Sequence, residues 1–392
     1  MIWAGRHASG DRIRERADAP GSEAGDRHLE RADGPASPCG PSPERALAAR
    51  PDRALAARVF REEAAREGFA RCGIARAETP SGFDKFRQWL AEGRHAGMKY
   101  LEETAAVRAS PQRLLAGARS VVCLAAPHGA EPLVAADGSR VARYAGGPDY
   151  HGTLRARAVR VAEAAHARLD GGFAWRVCVD STPLAERSFA AAAGLGWIGK
   201  NGCLIDPELG SFLLLAEIVT DLDIAADDPI AERCGSCVRC LEACPTSAFI
   251  APGLLDASRC LAYWTIEHRG PIPDAIKEQL GDRVFGCDDC QDACPWNAPL
   301  LPPREVSLPT RAQWVAMGGG HFRRGFGATA LNRAGRRGIQ RNAAISGACE
   351  QDGASAAALA AAPPPADRGL ADARAWSLAR ISPAPPAPRS LR

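Results

Sequence analysis

The run "CGSCVRCLEACP", residues 234–245, decides how this chain is built. Cys234, Cys237, Cys240 and Cys244 stand at C-x2-C-x2-C-x3-C directly before Pro245. "CDDCQDACP" repeats the latter part with Cys287, Cys290, Cys294 and Pro295. Where two such runs share a chain, the fourth cysteine of one ligates the iron–sulfur cluster built on the other. That crossover gives one 4Fe–4S cluster to Cys234, Cys237, Cys240 and Cys294. A second takes Cys287, Cys290 and Cys244 and lacks one thiolate. Cys260, in "ASRCLAYW", is the only other cysteine nearby, so it is expected to complete the set. Paired CxxC motifs also read as structural zinc. Zinc knuckles, however, need neither a third cysteine at x2 nor a fourth at x3 before proline.

The rest of the composition frames that reading. A chain of 392 residues is expected to hold two or three domains. An apolar fraction of 46% and a charged fraction of 24% are those of a soluble globular protein. The net charge of +3 is small, so affinity for nucleic acid must come from a local basic patch. The longest apolar run, "FLLLAEIV", contains Glu217 and falls far short of the roughly 18 residues that span a bilayer. The N-terminus has no apolar core for a signal peptide. No membrane partner and a reducing, cytoplasmic location are therefore expected, where clustered cysteines mean metal or redox chemistry. Cys39, Cys72, Cys123, Cys178, Cys203 and Cys349 are scattered and read as small apolar fillers.

Residues 1–51 mix charges of both signs with almost no large apolar side chains and read as a disordered extension. "DRALAARVFREEAAREGF" is an amphipathic helix with Leu55, Val59, Phe60 and Ala64 on one face. A strand "ARCGIARA", a helix near "DKFRQWLAEGRHAGMKYLE" and a strand "SVVCLAAPH" follow. "TLRARAVRVAEAAHARLD" reads as a helix and "FAWRVCVD" as a strand ending on Asp180. In "STPLAERSFAAAAG", Thr182 is expected to cap a helix, with Pro183 at its first position and Gly194 at its end. "SFLLLAEIVTD" is a further strand. Strands alternating with helices give an α/β domain over 52–225. Residues 226–300 form the two-cluster ferredoxin-type domain. Residues 301–392 begin with a linker marked by Pro302, Pro303 and Pro309, then turn helical and Arg-rich. "GIQRNAAISGA" and "ADARAWSLARI" read as two helices of one repeat unit, and "SPAPPAPRSLR" as a frayed end.

"GLGWIGKNG", residues 194–202, satisfies G-x-G-x-x-G. A dinucleotide-binding turn follows a strand and opens a helix; this one follows a helix, and Asn201, Gly202, Pro207 and Gly210 come after it. The glycines read instead as a turn that lets backbone approach something closely. "DYHGTL", residues 149–154, falls one glycine short of the D-x-H-x-x-G that supplies a histidine to some cobalamins.

Taken together, "VDSTPLAERSFAAAAGLGWIGKNGCLI", the two cysteine runs and "RRGIQRNAAI" resemble the epoxyqueuosine reductase family over residues 53–350. The resemblance implies an α+β or α/β fold with a corrinoid-binding, nitroreductase-like catalytic domain similar to reductive dehalogenases. It implies reduction of the epoxide of epoxyqueuosine at the tRNA wobble position to queuosine, using cobalamin and two 4Fe–4S clusters. Asp180, in V-D-[ST]-x-P-x-x-E-R, is implied as proton donor. Such a donor needs a raised pKa, for which a dry apolar pocket is expected. Arg108, Lys200, Asn201, Leu204, Leu215 and Asp288 are implied near the corrinoid, which the glycine turn would approach. Arg323, Arg324, Arg333, Arg336, Arg337 and Arg341, a window without an acid, are expected to meet the phosphates of the tRNA anticodon loop. An external electron donor and a monomeric state are expected. Two other readings, an electron-transfer protein without its own chemistry and a corrinoid reductase of a small molecule, fit less well: the Asp180 motif opposes the first, the arginine window the second.

Overall fold

The computed structural model describes residues 51–129, 131–297, 304–305 and 307–381. The expected leader (apart from Pro51), Cys39, Pro302, Pro303 and the Pro-rich end lie outside the described residues.

The first half is built on four strands: β1 (Arg71–Arg76), β2 (Ser120–Pro127), β3 (Trp175–Cys178) and β4 (Leu213–Thr220). Their order is β1-β2-β4-β3, and every neighbouring pair is antiparallel. Alternating strands and helices had pointed to an α/β domain, and the resemblance to α+β or α/β; the sheet is antiparallel throughout, which is the α+β arrangement. Alternation along the chain does not fix strand direction: β2 and β3, both antiparallel to β4, run one way, and β1 and β4 run the other.

The period-two burial of the strands divides two cores. Val122, Leu124, Ala216 and Ile218 face helices α1 (Arg53–Arg66) and α2 (Tyr150–Arg168). Val121, Cys123, Cys178 and Val219 face helix α3 (Glu186–Ala192). The Asp52 side chain caps α1 by accepting from the N–H groups of Ala54 and Leu55. Val59, Phe60 and Ala64 are buried as expected, while Leu55 is exposed and Ala56 takes its place inside. The expected second helix is interrupted. It runs Phe83–Ala91, breaks where Gly93 and Ala96 adopt positive φ, and resumes at Lys99–Glu103. α3 begins at Glu186, without a side-chain cap. Thr182 and Pro183 instead form the corner that follows Asp180, so the expected cap is displaced. Gly194, at φ +73°, does end the helix.

The cysteine segment is stitched to this domain through a second sheet. Arg283–Phe285 pairs in parallel with Arg140–Val141, which pairs with Leu133–Val134. Beyond it, helix α4 (Gly335–Cys349) is buried over most of its length, with Arg311–Ala316, Gly353–Ala361 and Arg368–Arg380 packed on it. One continuous core runs from Trp264, Val284 and Phe285 of the cysteine segment into Ile339, Ile345 and Trp376 of the tail. No helix among the described residues is long and apolar enough to cross a membrane.

Arg341 is part of that core. It is 2% exposed, and its guanidinium donates to the carbonyls of Trp264, His268 and Gly270 at 2.6, 3.0 and 2.9 Å. It therefore belongs to the scaffold, not to a nucleic-acid face. Replacing it by methionine leaves three carbonyls unsatisfied and is expected to cost about 3 kcal/mol or more. A chemical unfolding titration checks this; an unchanged midpoint would reject the role.

Candidate active site between two cysteine groups

The fold gathers the eight expected cysteines into two groups. Cys234, packed beside Cys294 and the Trp197 and Trp296 rings, stands with Cys237 and Cys240. Burial, then Cys294 and Cys234, push the Cys240 thiol up to about 11. Cys244, Cys260, Cys287 and Cys290 line a single cavity, so the four side chains expected to share a cluster lie around one space. Burial pushes the Cys287 and Cys290 thiols well up, so only a cationic partner can hold them as thiolates. Among the described residues no three His, Cys, Asp or Glu side chains converge on a single-ion site. The second group surrounds a space instead. Cys203, expected as a filler, lies in the same cavity wall and acts electrostatically on Cys290 and Cys294. Nothing in its local sequence signals that position.

Asp180 sits two residues beyond β3 in a left-handed conformation, φ +44°, which costs a non-glycine residue energy unless its surroundings fix it. Three contacts do so. Its N–H donates to Glu186 Oε1, the Tyr150 hydroxyl donates to its Oδ2, and His151 Nε2 lies 2.9 Å from the same oxygen. The expected dry apolar pocket is thus replaced by a polar one. His151 Nδ1 meets Asp149 Oδ1 at 2.6 Å. Burial alone would lower the imidazole, but the two flanking carboxylates raise it to about 9. Tyr150 and His151 escaped the sequence reading because "DYHGTL" was judged only as a cobalt-ligand motif. Their position at the start of α2 carries no periodic signal.

Glu186, at the start of α3, is pushed up to about 8 by burial and by Asp180. Arg108 is buried nearby and donates to the Leu184 carbonyl at 3.2 Å. Tyr144 links the two halves of the site. Its ring packs edge-on to Tyr150 with centroids 6.0 Å apart, and it also lines the second cysteine cavity.

The other expected cofactor residues are dispersed. Asn201 is buried at the second cavity and donates to the Cys290 carbonyl at 3.2 Å. Asp288 lines that cavity and pairs with Arg143 at 3.3 Å. Lys200 instead donates to the carbonyls of Gly235 and Cys237 at 2.5 and 3.0 Å, bracing the first cysteine loop. Leu204 is buried in the α3-side core, whereas Leu213, Leu214 and Leu215 are only half-buried at the start of β4. The glycine turn is also reassigned. A Cβ at Gly196 would stand 2.1 Å from the Ile205 carbonyl oxygen, and one at Gly194 2.7 Å from that of Asp228. The close approach that Gly194 and Gly196 permit is to the chain's own backbone.

Of the arginine window, Arg323, Arg324 and Arg337 are exposed and Arg341 is internal. Arg336 donates to the Gln340 side chain at 2.9 Å. Arg333 pairs with Glu267, Nε to Oε1 at 2.9 Å, and lies over the Tyr100 ring at 5.9 Å. Asp180 acts electrostatically on both Tyr100 and Arg333. The basic edge of the tail thus borders the Asp180 pocket.

Two of these groups bind protons more tightly folded than unfolded. Glu186, ordinarily 4.5, rises to about 8, and His151, ordinarily 6.5, rises to about 9. Where the native state holds the extra proton, stability falls as pH rises. The contribution of His151 is full below 6.5 and lost through about 9; that of Glu186 is lost between 4.5 and about 8. Thermal midpoints are expected to decline steadily from pH 6 to 9, and less so in Glu186→Gln. A midpoint that rises over that interval contradicts the assignment.

The comparisons with known proteins agree with this geometry. Residues 233–297 match the family "4Fe-4S double cluster binding domain", and residues 108–181 match "Epoxyqueuosine reductase QueG, DUF1730". An epoxyqueuosine reductase of Xanthomonas campestris pv. campestris is 47% identical over 59% of this chain and 68% of its own. One of Cellulophaga algicola is 35% identical over 71% of this chain and 94% of its own. A crystal structure of epoxyqueuosine reductase with an epoxyqueuosine-modified tRNA-Tyr stem loop superposes with a TM-score of 0.73 at 29% identity, covering 82% of this chain and 89% of that one. The Bacillus subtilis enzyme, solved with its catalytic aspartate loop swung out of the active site, gives 0.72 at 28% identity over the same shares. The chain belongs to the epoxyqueuosine reductase family of oxidoreductases.

Proposed function

We propose that this chain reduces the epoxide of epoxyqueuosine in tRNA to queuosine, with electrons entering through two 4Fe–4S clusters and Asp180 delivering a proton. The observation that carries the reading is the border between the basic tail and the Asp180 pocket, at Arg333 over Tyr100. Exposed Arg323, Arg324 and Arg337 would hold phosphates through sequence-tolerant, salt-sensitive contacts. The modified base would then be drawn out of its stack into the pocket. Cys234, Cys237, Cys240 and Cys294 are assigned to one cluster, and Cys244, Cys260, Cys287 and Cys290 to the other.

Cobalamin is the cofactor implied by the family, and half-buried Leu213 and Leu215, on the α3 side of β4 where the register leads to the Asp180 corner, fit a broad, apolar-edged group. Leu215 would support it, with Asn201 at the wall toward the second cluster. When bound, cobalamin supplies a low-valent metal centre able to give electrons to an epoxide. The chain's own residues do the acid work. Opening an epoxide leaves negative charge on oxygen, and a positioned acid lowers that barrier by a factor of roughly 10² to 10⁴. Asp180, whose Oδ2 accepts from Tyr150 and meets His151 Nε2, would take a proton from His151 and pass it to the epoxide oxygen, while Asp149 holds the imidazole in place. Tyr150 keeps the carboxyl aimed.

Asp180→Asn is expected to keep full iron content and tRNA affinity while slowing epoxide reduction on the order of 10² to 10⁴ fold. Nucleoside analysis of tRNA after incubation measures it, and unchanged turnover would remove Asp180 from the chemistry. Anaerobically purified protein is expected to carry about eight irons per chain, as two 4Fe–4S clusters require, with Cys260→Ser losing one cluster's share. Zinc in place of iron would sink the assignment.

A further inference from the structure

A second acid lies behind the first and takes no part in the scheme above. Glu217 is in the middle of β4, 0% exposed. Among the described residues neither of its carboxyl oxygens has a hydrogen-bond partner. Strand alternation turns it to the α3 side of the sheet, where its lateral neighbours are Cys123 on β2 and Cys178 on β3. Both thiols are kept neutral by burial. α3 packs on β4, and Glu186 at its start and Asp180 at the corner beyond β3 both act electrostatically on Glu217. Glu186 in turn feels Asp180, Arg108 and Arg187 and accepts the Asp180 N–H. Electrostatic coupling thus joins the acid inside the sheet to Glu186 and to Asp180.

An ionised carboxylate with no partner in such a place would be prohibitively costly, so Glu217 is a neutral acid carrying a proton. Burial and then Glu186 hold its proton on well above the ordinary range, and Glu186 itself is raised to about 8. A neutral, unpartnered acid weakens the sheet without improving its packing. The reaction supplies a use for it. An epoxide plus two electrons takes up two protons, ending as an alkene and water or as an alcohol. The electrons come from an external donor through the clusters, and His151 with Asp180 accounts for one proton.

We propose that Glu217 and Glu186 form an internal proton store behind Asp180 that provides the second proton of each turnover. The proposal rests on the epoxide-reductase reading. Glu217 touches neither substrate nor cofactor and acts through Glu186 and Asp180; its oxygens have no hydrogen-bond partner among the described residues and Glu186 meets the Asp180 N–H, so each transfer requires rotation of the Glu186 side chain.

The test uses the clustered, cofactor-loaded enzyme. Infrared spectra in H2O and D2O are expected to show a protonated-carboxyl C=O band that shifts on deuteration and is missing in Glu217→Gln. The same variant is expected to lose kcat on the order of a hundredfold, with KM and iron content unchanged. Wild-type kcat is expected to fall as pH passes about 8, where Glu186 empties. Glu217→Leu, which fills the space without a polar atom, is expected to melt higher than wild type and turn over as slowly as the glutamine variant. A band that persists in Glu217→Gln, or wild-type turnover by either variant, overturns the store. Wild-type protein that leaves epoxide-bearing tRNA unreduced sinks the activity instead, and the infrared band still decides whether the pair holds a proton.

Discussion

Arg143 is the contact on which the catalytic arrangement depends. Its side chain is 2% exposed and pairs with Asp288 and Asp292 at 3.3 and 2.5 Å, while its guanidinium lies 4.6 Å over the Phe212 ring just before β4. Its backbone N–H also donates to Asp288 at 2.9 Å. One cation thus ties the second cysteine run to the entrance of the central strand. A desolvated charge of this kind is tolerated only with its partners in place, so it fixes their separation tightly. Tyr144 follows it in sequence and is thereby set between the cysteine cavity and the Tyr150–Asp180 contact.

Much of the site could be read in the sequence because its chemistry demands fixed spacing. Cluster ligation needs cysteines at set intervals, and the fold brings Cys244, Cys260, Cys287 and Cys290 around one cavity and sets Cys234 beside Cys294. Asp180 was reachable only through a resemblance. In isolation, the backbone and helix boundaries around it pointed to a cap at Thr182, whereas the chain uses those residues to turn a corner. Strand direction was not legible, since pairing is decided by long-range packing rather than by the period of each strand. Arg341 and Lys200 show the same limit. A basic side chain reads as surface until the structure shows which carbonyls it must satisfy.

The glycine turn is instructive for the same reason. G-x-G-x-x-G reports that backbone comes close to something, and the partner is whatever the topology brings there. Here Gly194 and Gly196 let the turn nest against Asp228 and Ile205. The turn in this way seats Asn201 at the cysteine cavity and Lys200 on the first cysteine loop.

The hydrophobic core shared by the cysteine segment and the tail has a bearing on assembly. Cys244, Cys260 and Cys287 pack against the same cluster of side chains that holds Ile339, Ile345 and Trp376. Any ligand that binds the native arrangement more tightly than the disordered one stabilises everything that arrangement includes. A cluster held by the second cysteine group would therefore also steady the tail helices, so loss of metal there would loosen a part of the chain far from it in sequence.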